Sequence, residues 1–104
     1  MTFGLNTAQT QILQSIFKKH LKTGVVIVYG SRVKDTYTKY SDIDLTLKET
    51  HLSLHQVEDL IDNIIESDFP YLCDIQLFEN INNPSLLEHI DRMGEVFYRG
   101  DHNE

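Results

Sequence analysis

The chain has 104 residues, 40% apolar and 24% charged, with a formal net charge of −7. That size and composition suit a single folded domain over residues 1–104 and exclude intrinsic disorder. The acidic balance argues against direct nucleic-acid binding, which rewards clustered Lys and Arg. Cys73 is the single cysteine, so no intramolecular disulfide forms. The longest apolar run, Val25 to Tyr29, is too short to span a bilayer, so no membrane association is expected. MTFGLNTAQTQ lacks the basic start and apolar run of a signal peptide, and the expected location is the cytoplasm.

Taken in order, Asn6 or Thr7 caps a first expected helix, where Ile12, Leu13, Ile16 and Phe17 share one stripe. Lys18, Lys19 and His20 suit the negative end of its dipole. Val25 to Tyr29 is a β-branched run without alternation, the pattern of a strand covered on both faces near the middle of a sheet. Gly30 ends it, and Ser31 is placed to cap a short turn carrying Arg32, Val33 and Lys34. Asp35 to Ser41 is a polar connection. Asp42 to Leu47 then alternates as a second strand, with Ile43, Leu45 and Leu47 facing a core.

A turn at Lys48 to His51 leads to an amphipathic helix from about Leu52 to Glu66, whose apolar face is Leu54, Val57, Leu60, Ile61, Ile64 and Ile65. Ser67 to Pro70 end it. Tyr71 to Phe78 is a third strand, with Tyr71, Cys73, Ile75 and Leu77 on one side and Leu72, Asp74, Gln76 and Phe78 on the other. Asn83 and Pro84 start a last helix, buried through Leu86, Leu87, Ile90 and Met93, and Gly94 stops it. Val96 to Tyr98 can add a short edge strand. The order predicts an α/β (α+β) fold: a small mixed β-sheet with helices packed mainly on one face.

Such a sheet gathers Gly30, Ser31, Asp42, Asp44 and Asp74 on one rim. Residues two apart on a strand point to the same side with Cα atoms about 6.5–7 Å apart, so Asp42 and Asp44 share a face. Like charges held this way repel, which invites a cation. Three carboxylates beside a Gly-Ser turn are what metal-assisted nucleotidyl transfer requires, with two metal ions clamping the attacking and leaving oxygens. Magnesium suits oxygen ligands shared with substrate phosphates. Gly30 permits close approach of a phosphate, the amides opening the turn face its charge, and Ser31 and Arg32 add donors.

Gly30-Ser31, ten intervening residues, then Asp42-Ile43-Asp44 resembles the signature of the DNA polymerase β-like nucleotidyltransferases, with Asp74 in CDIQL similar to their third carboxylate. GSRVKDTYTKYSDIDL on a chain of this length resembles the minimal (MNT) group. The resemblance implies a nucleotidyltransferase fold, magnesium as two ions, and ATP as donor. By the same resemblance, Gly30 and Ser31 meet the triphosphate, while Asp42, Asp44 and Asp74 are catalytic and hold metal. It further implies an antitoxin that transfers AMP to a tyrosine hydroxyl of a helical HEPN toxin, in a hetero-oligomer. Two alternatives stay open: a module that blocks the partner sterically, and a small-molecule nucleotidyltransferase completed by a second subunit.

Plainer readings apply elsewhere. Lys34 and Lys39 suit solvated surface, and Arg32 is the best placed of the three basic residues beside the turn. His51 and His55 suit an exposed helix, His20, His89 and His102 carry no signal, and Cys73 suits inert packing. Tyr37 and Tyr40 are expected to be exposed loop tyrosines, and Gln76 a rim residue.

Overall fold

The computed structural model describes residues 3–34, 37–38 and 41–100. Helix α1, Thr7–His20, opens on a reciprocal cap: Gln9 N donates to Asn6 Oδ1 at 2.8 Å and Asn6 N donates to Gln9 Oε1 at 3.0 Å. Strand β1, Val25–Tyr29, runs into a 3-10 turn over Gly30–Val33. Strand β2 covers Ile43–Lys48, and α2, Leu54–Glu66, begins at Ser53 with a second reciprocal cap. The cap places the helix start two residues after Leu52. Strand β3, Cys73–Leu77, is followed by α3, Pro84–Met93, where Asn83 Oδ1 accepts from Ser85 N and Leu86 N. Strand β4, Glu95–Arg99, is the last regular element among the described residues.

The sheet order is β3-β2-β1-β4. β1 is antiparallel to both β2 and β4, while β2 and β3 run parallel, their crossover made by α2. Val25 to Tyr29 is thus an interior strand, and Val96 to Tyr98 falls in the edge strand β4. The alternation of β2 is less clean than expected, because Thr46 is buried along with Leu45 and Leu47. Its hydroxyl donates to the Gln76 carbonyl on β3 at 3.0 Å.

Alternation along the strands divides the sheet into two faces. One carries Val26, Val28, Ile43, Leu45 and Leu47, which join Leu13, Ile16 and Phe17 of α1 and Val57, Leu60 and Ile64 of α2 in the main core. Full burial of side chains such as Leu13, Phe17 and Leu60 contributes roughly 1.5–3 kcal/mol each. The other face carries Ile27, Tyr29, Asp44, Thr46, Asp74 and Gln76, and α3 lies across part of it. Gly94 ends α3 in an extended conformation. A Cβ there would stand 2.8 Å from Ile27 Cγ2 and 2.5 Å from the Ile90 carbonyl, so glycine is required by close approach and not by a left-handed turn. Two helices therefore pack on one face and the third on the opposite one. Among the described residues no helix is long and apolar enough to cross a membrane.

Arg32 is 1% exposed and joins three separated segments. Nη1 donates to the Phe3 carbonyl at 2.8 Å and Nη2 to the Ser41 carbonyl at 2.7 Å. The guanidinium also lies 4.7 Å from the Tyr71 ring centroid and 5.2 Å from that of Tyr37. A lysine cannot reproduce this planar fork. Arg32→Lys is expected to lower stability by about 2–4 kcal/mol, from one lost charged hydrogen bond and weakened ring contacts. Urea denaturation showing less than half that loss would contradict the clamp.

Candidate active site

The face opposite the main core carries the candidate site. In the ladder Tyr29 pairs with Asp44 and Asp44 with Asp74, so one row crosses β1, β2 and β3. Paired positions share a face, which sets the two carboxylates side by side. Asp42 stands exposed one residue before β2 begins. It is close enough to act on Asp44: burial, then Asp74, then Asp42, push the Asp44 carboxyl above its ordinary value of 3.8. Among the described residues the ion pairs are His55 with Asp59 and Arg92 with Glu88, and neither involves these acids.

Negative charge concentrated without a basic partner fits a divalent cation. Among the described residues no three metal-ligating groups are gathered into a ready cage. The donors are all oxygen and two of them are open to solvent, which matches magnesium, an ion that keeps waters and shares substrate phosphates.

Gly30 holds the other end of the row, at φ +82°. A Cβ on it would run into the Asp44 carboxylate. Only glycine takes this backbone conformation freely and leaves that space open. The turn differs from expectation at its start, because the cap position is Tyr29 and no side chain caps it. Ser31 instead lies within the turn, where its carbonyl accepts from Lys34 N at 3.0 Å.

Three residues outside the motif support this rim. His89 Nε2, on α3, accepts the Gly30 N–H at 3.0 Å, and its ring meets that of Tyr29 edge to face at 6.2 Å. Burial, followed by Lys34 and Arg92, lowers the His89 pKa from 6.5, against an opposing effect of Glu88. The neutral imidazole therefore accepts at Nε2 and carries its proton on Nδ1. Gln76 Nε2 donates to the Tyr29 hydroxyl at 3.1 Å. Burial and the fields of Asp44 and Asp74 push Tyr29 up to about 12, which keeps its hydroxyl protonated beside the acids. His89 had shown no signal in the sequence, because its partner lies 59 positions away.

The structure does not bring Arg32 to the phosphate end. Its guanidinium is spent on the Phe3 and Ser41 carbonyls, which corrects the expectation that it adds charge there. Lys34, exposed and near enough to His89 to affect it, is the cation at the turn. Cys73 packs against the main core, and burial raises its thiol to about 12, in keeping with inert packing. His51 and His55 are exposed, and Tyr37 lies against Arg32. Lys39, Tyr40 and His102 lie outside the described residues.

Residues 11–103 match the family described as polymerase beta, nucleotidyltransferase. No curated protein matches the sequence. Among solved structures, a toxin–antitoxin crystal structure with AMP-PNP is similar at a TM-score of 0.64 and 16% identity, over 86% of this chain and 73% of that one. A mutant of the toxin–antitoxin MntA–HpeT is similar at a TM-score of 0.68 and 15% identity, over 91% of this chain and 74% of that one. At these identities the likeness is one of fold. The fold thus agrees with the sequence match, which spans nearly the whole chain and includes the turn and all three carboxylates: the chain belongs to the polymerase beta nucleotidyltransferase family.

Proposed function

We propose that this chain is a magnesium-dependent nucleotidyltransferase that moves AMP from ATP to a tyrosine hydroxyl of a HEPN-type toxin, and so acts as the antitoxin. The observation that carries the reading is the in-register pair Asp44 and Asp74 beside the Gly30 turn. Two neighbours in fold are toxin–antitoxin structures, one of them with AMP-PNP, which supports both the partner class and the nucleotide. Exposed Asp42 and Asp74 leave the acceptor side open, as a protein substrate requires.

Ser31 and the turn amides that follow Gly30 hold the β- and γ-phosphates, with charge from Lys34. The acceptor oxygen attacks the α-phosphorus in line; its bond to phosphorus forms as the bond to pyrophosphate breaks, and its proton passes to the Asp74 carboxylate. Asp42, Asp44 and Asp74 are the residues that would hold magnesium, whose chemistry when bound is neutralisation of phosphate charge and a more acidic acceptor hydroxyl. Protonated Tyr29 and Gln76 keep the Asp44 side of the row in place.

Incubating the protein with ATP, magnesium and a HEPN-type partner should add the mass of AMP to a partner tyrosine, read by mass spectrometry. Asp42→Asn with Asp44→Asn should abolish that addition. An unmodified partner that is nonetheless neutralised would show blocking by binding alone and defeat the catalytic reading.

Asp44 also sets a pH dependence. Its raised pKa means that the folded state favours the protonated form, so stability falls as pH climbs from 3.8 through the raised value. Asp44→Asn should therefore raise the melting midpoint of metal-free protein at neutral pH, by roughly 4–8 °C for each kcal/mol of burial cost and repulsion removed. It should also remove most of the stabilisation that magnesium gives the wild type. A lower midpoint, or an undiminished magnesium response, would count against the site.

A further inference from the structure

We infer that His89 is a positioning residue for nucleotide binding: by accepting the Gly30 N–H, it fixes the turn that receives the triphosphate. The inference rests on the nucleotidyltransferase reading above and assigns to it a residue outside the family's motif. The ladder between β1 and β2 ends at the Tyr29–Asp44 pair, so Gly30 lies just beyond the strand's own hydrogen bonding. The acceptor for its N–H comes from the opposite side of the rim, from α3.

Two features separate this from simple helix docking. First, α3 is already seated by apolar contact, through Ile90 at 4% exposure and the close approach of Gly94 to Ile27. The imidazole adds direction and not much packing. Second, Gly30 is held from two sides, with the Asp44 carboxylate filling the space beside its Cα and His89 Nε2 holding its nitrogen at 3.0 Å. The peptide plane between Tyr29 and Gly30, from which the turn departs, is thereby fixed relative to the Asp44 carboxylate. Water can satisfy an exposed N–H, but it cannot hold that plane at one angle.

The lowered pKa of His89 agrees with this geometry, since a protonated imidazole has no acceptor to offer. The Tyr29 ring against its edge restricts the remaining rotation. The result is a link from α3 to the phosphate end of the row.

The test compares His89→Gln, whose amide oxygen reaches about as far as Nε2, with His89→Leu, which has similar bulk and no acceptor. Affinity for AMP-PNP with magnesium is measured by calorimetry, alongside the denaturation midpoint of each variant. His89→Leu should bind about tenfold more weakly, a usual loss when a group that orients a ligand-binding residue is removed. His89→Gln should recover most of the affinity. In steady state, KM for ATP should rise in His89→Leu with a smaller change in kcat.

Wild-type affinity in a folded His89→Leu, or equal weakening in both variants, overturns the inference. If His89→Leu does not fold, His89→Asn replaces it, because its shorter side chain falls short of Gly30; equal affinity of Asn and Gln variants then overturns the inference. A folded wild type that does not bind AMP-PNP overturns the nucleotide reading itself, and this inference with it.

Discussion

The row Tyr29, Asp44, Asp74 is the constraint on which the site depends. Pairing in a β-ladder sets side chains at close and repeating distances, and here it sets two carboxylates next to each other with a third just before the strand. Such an arrangement costs stability in the free protein, where burial and then the neighbouring Asp74 and Asp42 push the Asp44 carboxyl upward. The sheet tolerates it because the reverse face of the same strands is apolar throughout, with Ile43 and Leu45 at 1% and 0% exposure. One face binds the fold together and the other concentrates charge. The candidate site falls where local electrostatics oppose folding.

The crossover through α2 is what makes this row possible. A hairpin from β2 would return antiparallel, whereas the helix lets β3 run parallel with Asp74 in register with Asp44. Arg32 plays a complementary part at the other end of β2. Its hold on the Ser41 carbonyl fixes the chain immediately before Asp42, and its contact with Tyr71 lies just ahead of β3. The basic residue nearest the motif serves the approach of the acidic strands.

Much of this was readable in the amino-acid order. The β-branched run Val25 to Tyr29, the alternation of Ile43, Leu45 and Leu47, and the caps at Asn6 and Asn83 express local preferences that the fold keeps. Asp42, Asp44 and Gly30 were found by spacing, and the ladder puts Asp44, Asp74 and the turn together, while their catalytic and metal-binding use belongs to the proposed function. Arg32 was misjudged because neighbouring residues on a 3-10 turn point about a third of a revolution apart, so proximity to Ser31 in sequence says little about direction. His89 was silent for another reason. A single histidine on an amphipathic helix becomes meaningful only once the helix is docked, and no local pattern encodes which amide it will meet. The division of helices between two faces is likewise a tertiary fact: α3 carries an apolar stripe in either arrangement.

The missing side chain at position 30 has an evolutionary consequence. Because the Asp44 carboxylate occupies the space a Cβ would take, the Gly30 turn and the acidic row share one small volume. Substitutions at the two positions cannot be independent, and their effects should depart from additivity. A change at Gly30 displaces the Asp44 carboxylate as well as straining a turn, while shortening Asp44 opens the room a residue at 30 would need. The two motif positions, fourteen residues apart in sequence, therefore behave under mutation as one site.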